Sequence, residues 1–132
     1  MGITMKLQDH KKIQIFLEDY YKEYSKNLNP KDLFEKLINI KEVFEKCSED
    51  GGKLIFGGNG ASASIASHAA LDFTKQAKIK STTFHDPALI TAFSNDYGYK
   101  NYFSEAIKAY ADKKDVLVLI SVSGESPNMV RS

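Results

Sequence analysis

Apolar residues at Ile13, Phe16, Leu17, Tyr20 and Tyr24 recur three and four positions apart, the spacing that lines one face of a helix, and predict an α-helix from about Asp9 to Asn27. Asn29-Pro30 interrupts the pattern. Asn29 can cap a new helix with Pro30 at its first position, and Leu33, Phe34, Leu37, Ile38, Val43 and Phe44 carry that helix to Asp50, where Gly51-Gly52 ends it. From Lys53 the period changes. Leu54 to Phe56 reads as a short strand, followed at once by GGNGASAS and a helix from about Ser62 to Gln76. Thr82 to Phe84 is a second strand, Asp86-Pro87 opens a helix through Phe93, and Tyr102 to Ala111 forms another. Val116 to Ile120 is apolar on both faces, as a central strand of a parallel sheet covered by helices would be, and Ser126 and Pro127 take the N-cap and first position of a last helix. Strands alternating with helices predict an α/β fold, a doubly wound parallel sheet in three αβα layers, preceded by two leading N-terminal helices. No repeat, low-complexity tract or linker divides the 132 residues, so they read as one domain: a helical pair over 1–51 and an α/β sheet from 52.

Composition narrows the classes of partner. With 42% hydrophobic and 27% charged residues and a net charge of +1, the chain has the make-up of a globular domain with no basic stripe for a nucleic-acid backbone and no polybasic segment for a membrane. No apolar stretch approaches the roughly 20 residues that span a bilayer, and the N-terminus lacks the apolar core of a signal peptide, so the expected location is the cytoplasm. Cys47 is the only cysteine and excludes an internal disulfide; beside Val43 and Phe44 it reads as a buried thiol.

Chemistry concentrates at the ends of two strands. In open parallel sheets ligands bind beyond the carboxyl ends of the strands, where helix N-termini present free N–H groups. After the first strand, Gly58, Gly60 and Ala63 match G-x-G-x-x-A, yet the acidic residue that a dinucleotide site needs about 20 positions later is missing from Ala77-Lys78-Ile79-Lys80, which argues against NAD. The loop is then either a tight turn or a close approach to a ligand, with Asn59 and Ser62 as donors. After the later strand, SVSGESP places Ser121, Ser123 and Ser126 around Gly124. Three hydroxyls ahead of a helix can saturate a phosphate monoester without any lysine, whereas N-capping alone needs one serine. His68 and Asp72, four apart on one helix, are either a metal or acid–base pair or a packed histidine satisfied by its neighbour. Asn95-Asp96-Tyr97-Gly98 offers polar contacts or a turn, and His85 and His10 have no evident partner.

Together, GNGASASIASH (58–68), AFSNDYGY (92–99) and DVLVLISVSGESPNMV (115–130) resemble the sugar isomerase (SIS) domain family, and within it the phosphoheptose isomerases, over essentially the whole chain. The resemblance implies a flavodoxin-like αβα sheet and a cytoplasmic homotetramer, with the leading helices packed between subunits and active sites at subunit boundaries. It implies that Ser62, Ser121, Ser123 and Ser126 hold the substrate phosphate, that Asn59 and Asp96 line the sugar, that Gly60 belongs to the substrate- and phosphate-binding set, and that His68 is a zinc ligand, with Asp72 beside it as the base and a second ligand. The implied reaction is aldose–ketose interconversion of sedoheptulose 7-phosphate and a heptose 7-phosphate through an enediolate, supplying surface-polysaccharide precursors, with a histidine as acid and zinc as a possible cofactor. Asp72 stands where the active isomerases have glutamate. The family's domain also continues past the position of Ser132 with further strands and the glutamine and histidine that complete the zinc site, so the chain reads as the N-terminal part of such an enzyme. The alternative function is a non-catalytic SIS module that binds a sugar phosphate or a protein partner.

Overall fold

A computed structural model describes residues 7–28 and 30–132. Helices α1 (Leu7–Asn27) and α2 (Pro30–Glu49) come first, followed by β1 (Leu54–Gly58), α3 (Ala61–Lys75), β2 (Ser81–Thr83), α4 (Pro87–Tyr97), α5 (Tyr102–Tyr110), β3 (Val116–Ile120) and α6 (Pro127–Val130). The expected N-cap, Asn29, lies outside the described residues. The chain divides into two compact units, Met1–Ile40 and Lys41–Ser132.

In the first unit, the periodicity that predicts α1 emerges as apolar surface. Phe16, Tyr20 and Tyr24 stack at successive turns with ring centroids 6.2 and 6.3 Å apart, which supports the helix locally. Their exposures are nevertheless 64%, 56% and 54%.

The second unit is built on a parallel sheet of order β2-β1-β3. All five residues of β1 are buried, and they alternate between two cores as the pleat requires. Leu54 and Phe56 pack with Phe44, Cys47, Ala66, Ala70 and Ile79, where the Phe73 ring sits 5.2 Å from Phe44 and 5.5 Å from Phe56. Ile55 faces the other way, into Phe84, Tyr102, Phe103, Ala106 and Met129. Two covered faces make the predicted three layers.

Among the described residues Val116–Ile120 pairs with β1 along one side, with Leu117 36% and Leu119 38% exposed, and β1 carries a partner strand on both sides. β1 is also longer than predicted, because Gly57 and Gly58 continue the ladder opposite Leu119 and Ile120. These glycines are strand residues for steric reasons: a Cβ on Gly57 would stand inside the Phe103 ring, and one on Gly58 would lie 2.7 Å from the Ser62 carbonyl carbon. α4 runs four residues past the expected end at Phe93. Asp86 accepts from the N–H groups of Ala88 and Leu89 at 2.9 and 3.1 Å, and Gly98, at φ 79°, ends the helix.

At the opposite end of the sheet, Asp115 clamps the starts of β1 and β3. Its carboxylate accepts from the Lys53 N–H at 2.9 Å, the Lys53 ammonium at 2.5 Å and the Asp112 N–H at 2.8 Å. Burial alone would raise this carboxyl, but the Asp112 N–H and the two Lys53 groups outweigh it and hold its pKa below the usual carboxylate value. A depressed carboxyl stabilises the fold at pH values above its unfolded value of about 3.9, and that contribution is lost as pH falls through the folded value. Asp115→Asn therefore lowers the melting temperature at neutral pH, and thermal melts at decreasing pH show the gap to wild type closing in acid.

Candidate functional site

The register sets the site. Gly58 of β1 lies beside Ile120 of β3, so the two loops that follow leave the sheet side by side at its carboxyl edge. Between them is a cavity of about 220 Å³ lined by Asn59, Ser62, Ile120, Ser121, Val122, Ser123 and Ser126. All four serines expected at a phosphate, and Asn59, are brought together there. Gly60, at φ 54°, and Gly124, at φ 70°, supply the left-handed turns that fold each loop back toward its helix.

The hydroxyls are not consumed by the loops. Ser121 Oγ accepts from the Gly124 N–H at 3.1 Å and Ser123 Oγ from the Glu125 N–H at 3.2 Å. Accepting through oxygen leaves each hydroxyl proton free to donate. Ser126 is the N-cap of α6 by position, as expected, but its side chain makes no cap hydrogen bond. Ser62 is 7% exposed and stands in the first turn of α3. No lining residue is cationic, so the cavity offers an anion hydroxyl and amide donors and no full positive charge.

Asn59 is tied to two further elements. Its Nδ2 donates to Asn128 Oδ1 at 2.9 Å, its Oδ1 accepts from Asn128 Nδ2 at 2.8 Å, and the Tyr99 hydroxyl donates to the same Oδ1 at 3.2 Å. Asn128 is 2% exposed. The Tyr102 ring packs 5.3 Å from Tyr99; burial pushes the Tyr102 phenol up, Tyr99 adds to the rise and Asn128 opposes it. Asp96, expected on the sugar, sits exposed in the last turn of α4, where its Oδ1 accepts from Asn95 at 3.0 Å, and it does not line the cavity. Sequence reasoning named neither Asn128 nor Tyr99 as a site residue, although both fall inside the quoted motifs.

His68 and Asp72 share one face of α3, as their spacing requires, with Nε2 and Oδ2 3.3 Å apart. The side chains are 77% and 54% exposed, so His68 is not a packed core histidine in this chain. They line a separate depression of about 520 Å³ with Ser64, Ile65, Ala69 and Phe73. Helical geometry explains the separation: Asp72 lies about 15 Å along the axis from Ser62 and roughly 80° around it.

The expectation that His85 has no partner is overturned. Its Nδ1 lies 3.1 Å from Ser67 Oγ, its Nε2 is buried with no hydrogen-bond partner, and its ring centroid is 6.5 Å from that of Phe103. Burial lowers its pKa, offset in part by the Gly58 backbone. Cys47 is buried as expected, and burial raises its thiol pKa, which leaves it protonated and inert.

Residues 19–132 match the SIS domain family. The chain is 35% identical to the phosphoheptose isomerase of Thermodesulfovibrio yellowstonii over 84% of its own length and 61% of that protein's, and 32% identical to phosphoheptose isomerase 1 of Campylobacter jejuni over 88% and 66%. Its structure superposes on the phosphoheptose isomerase of Neisseria gonorrhoeae with a TM-score of 0.75 at 30% identity, covering 96% of this chain and 66% of that one. For a phosphoheptose isomerase from Francisella tularensis the TM-score is 0.78 at 27% identity, with 96% and 68% covered. The chain thus spans about three fifths to two thirds of these relatives.

Proposed function

The chain belongs to the SIS domain family, and from that premise we propose that it is the phosphate-binding part of an aldose–ketose isomerase acting on sedoheptulose 7-phosphate or a close relative. The observation that carries the proposal is the set of serine hydroxyls that converge on one cavity while free of capping duty. Four donors, with Asn59 beside them, suit the three oxygens of a phosphate monoester. The phosphate anchors one end of the substrate and leaves the carbonyl end for a base.

Asp72 supplies that base. Its carboxylate takes a proton from C1 of the ketose, the C–H electron pair becomes the C1=C2 bond and the C2 carbonyl pair moves onto O2 to give the enediolate; the proton then returns at C2 while the O1 proton passes to O2, so that O1 becomes the aldehyde oxygen of the aldose. His68, 3.3 Å away, orients the carboxylate. The donor chemistry of this pair suits zinc, which would steady the enediolate oxygens, but the donor count does not: among the described residues no group of three or more His, Cys, Asp or Glu side chains converges. In one chain the cradle and the base line separate depressions, and α1 exposes an aromatic stripe; both support a homo-oligomer with sites completed at subunit boundaries, and the resemblance of the motifs adds that it is a cytoplasmic tetramer. Gel filtration with light scattering is expected to show a tetramer; a monomer would overturn that assignment.

The direct test is to incubate the full protein with sedoheptulose 7-phosphate and measure aldose formation. Absence of turnover with and without added zinc, together with tight binding of the sugar phosphate, would assign the chain to the non-catalytic SIS modules instead.

A further inference from the structure

We propose that Asn128 is a positioning residue that, with Tyr99, locks the Asn59 amide and thereby holds the two halves of the phosphate cradle in register. The inference rests on the assignment of the cavity as a phosphate site. Asn59 belongs to the loop after β1 and Asn128 to α6, directly behind the serine loop, so the paired amides at 2.8 and 2.9 Å are a side-chain bridge between the two loops that line the cavity. A third element, the turn between α4 and α5, joins through the Tyr99 hydroxyl at 3.2 Å. Asn128 is 2% exposed, so both of its bonds are shielded from water. It lies outside the cavity lining and acts on a ligand only through Asn59.

The arrangement has a chemical consequence at Asn59. Its Oδ1 already receives two donors, and its Nδ2 has donated one of two protons, so what remains for a ligand is a single N–H. The group it meets must be an acceptor, such as a sugar hydroxyl oxygen or a phosphate oxygen. Freed from Asn128, the amide can turn either end toward the ligand, and the ordered donor is lost.

The experiment is a double-mutant cycle read by calorimetry with sedoheptulose 7-phosphate, and with inorganic phosphate as a second probe, on wild type, Asn59→Ala, Asn128→Ala and the double variant. Melting temperatures are recorded in parallel. Asn128→Ala is expected to weaken sugar-phosphate binding on the order of tenfold, and Tyr99→Phe by a smaller factor. In the Asn59→Ala background, Asn128→Ala is expected to change affinity no further, because the residue acts through Asn59. If wild type binds and the two losses instead multiply, or if Asn128→Ala lowers the melting temperature with affinity unchanged, the positioning role is overturned while the cradle stands. If wild type binds neither probe, the cradle itself falls, and the positioning role with it.

Discussion

Asp72→Asn is expected to lower turnover of sedoheptulose 7-phosphate by about 10²- to 10⁴-fold while leaving affinity for the sugar phosphate near wild type, the signature of a lost proton-transfer group. Asparagine has nearly the same size and can still bond His68 across the 3.3 Å gap, so packing on α3 is preserved. It can no longer accept a proton from carbon. Affinity is spared because Asp72 and the serines line different depressions. The companion variant, Asp72→Glu, adds one methylene and moves the carboxylate about an ångström toward the position held by glutamate in the isomerases that the motifs resemble. It is expected to turn over at least as fast as wild type if the substrate is a heptose phosphate. A large loss would mean that the shorter arm is matched to a different sugar, since misplacing a base by about 1 Å costs on the order of 10²-fold. Wild-type turnover in Asp72→Asn would place the base elsewhere.

The layered fold was legible because apolar spacing separates helix from strand, even where, as on α1, the apolar face is left exposed. α1, α2, α3 and α5 lie within two residues of their expected ends. The errors come from signals that sequence carries in only one dimension. Gly57 and Gly58 look like the start of a loop because strands disfavour glycine, and only the Phe103 ring and the Ser62 carbonyl beneath them show why no side chain fits. Asn95 and Asp96 look like a turn by composition, yet the Asp86 cap and the Gly98 stop leave them inside α4.

The candidate site divides along the same line. The serines were legible because hydroxyls clustered around a glycine have few other uses. Asn59 with Asn128, Ser67 with His85, and Lys53 with Asp115 were not, because their partners stand 69, 18 and 62 residues apart and each residue alone is an ordinary polar side chain. A buried amide such as Asn128 announces itself only when its burial is known: at 2% exposure it must find partners or destabilise the fold.

Replacing Ser121, Ser123 and Ser126 together by alanine is expected to weaken binding of a sugar phosphate on the order of a thousandfold, taking about 1.5 kcal/mol for each hydrogen bond to a charged oxygen. Ser123→Ala alone should weaken it by about 1 to 3 kcal/mol. The fold has little to lose: Ser121 and Ser123 bond only exposed loop N–H groups that water can satisfy, and the Ser126 side chain makes no cap bond. Melting temperature is therefore expected to stay close to wild type while affinity collapses, which separates a binding role from a capping role. Salt gives a second reading of the same chemistry. A phosphate held by lysine or arginine loses affinity steeply as ions screen the pair, whereas a cavity whose lining contains no cation should bind with weak dependence on ionic strength. Calorimetry across a salt series tests this in wild type, and the triple variant shows whether the salt-insensitive component is the one that disappears. Undiminished affinity in the triple variant would mean that the phosphate is held somewhere other than between these two loops.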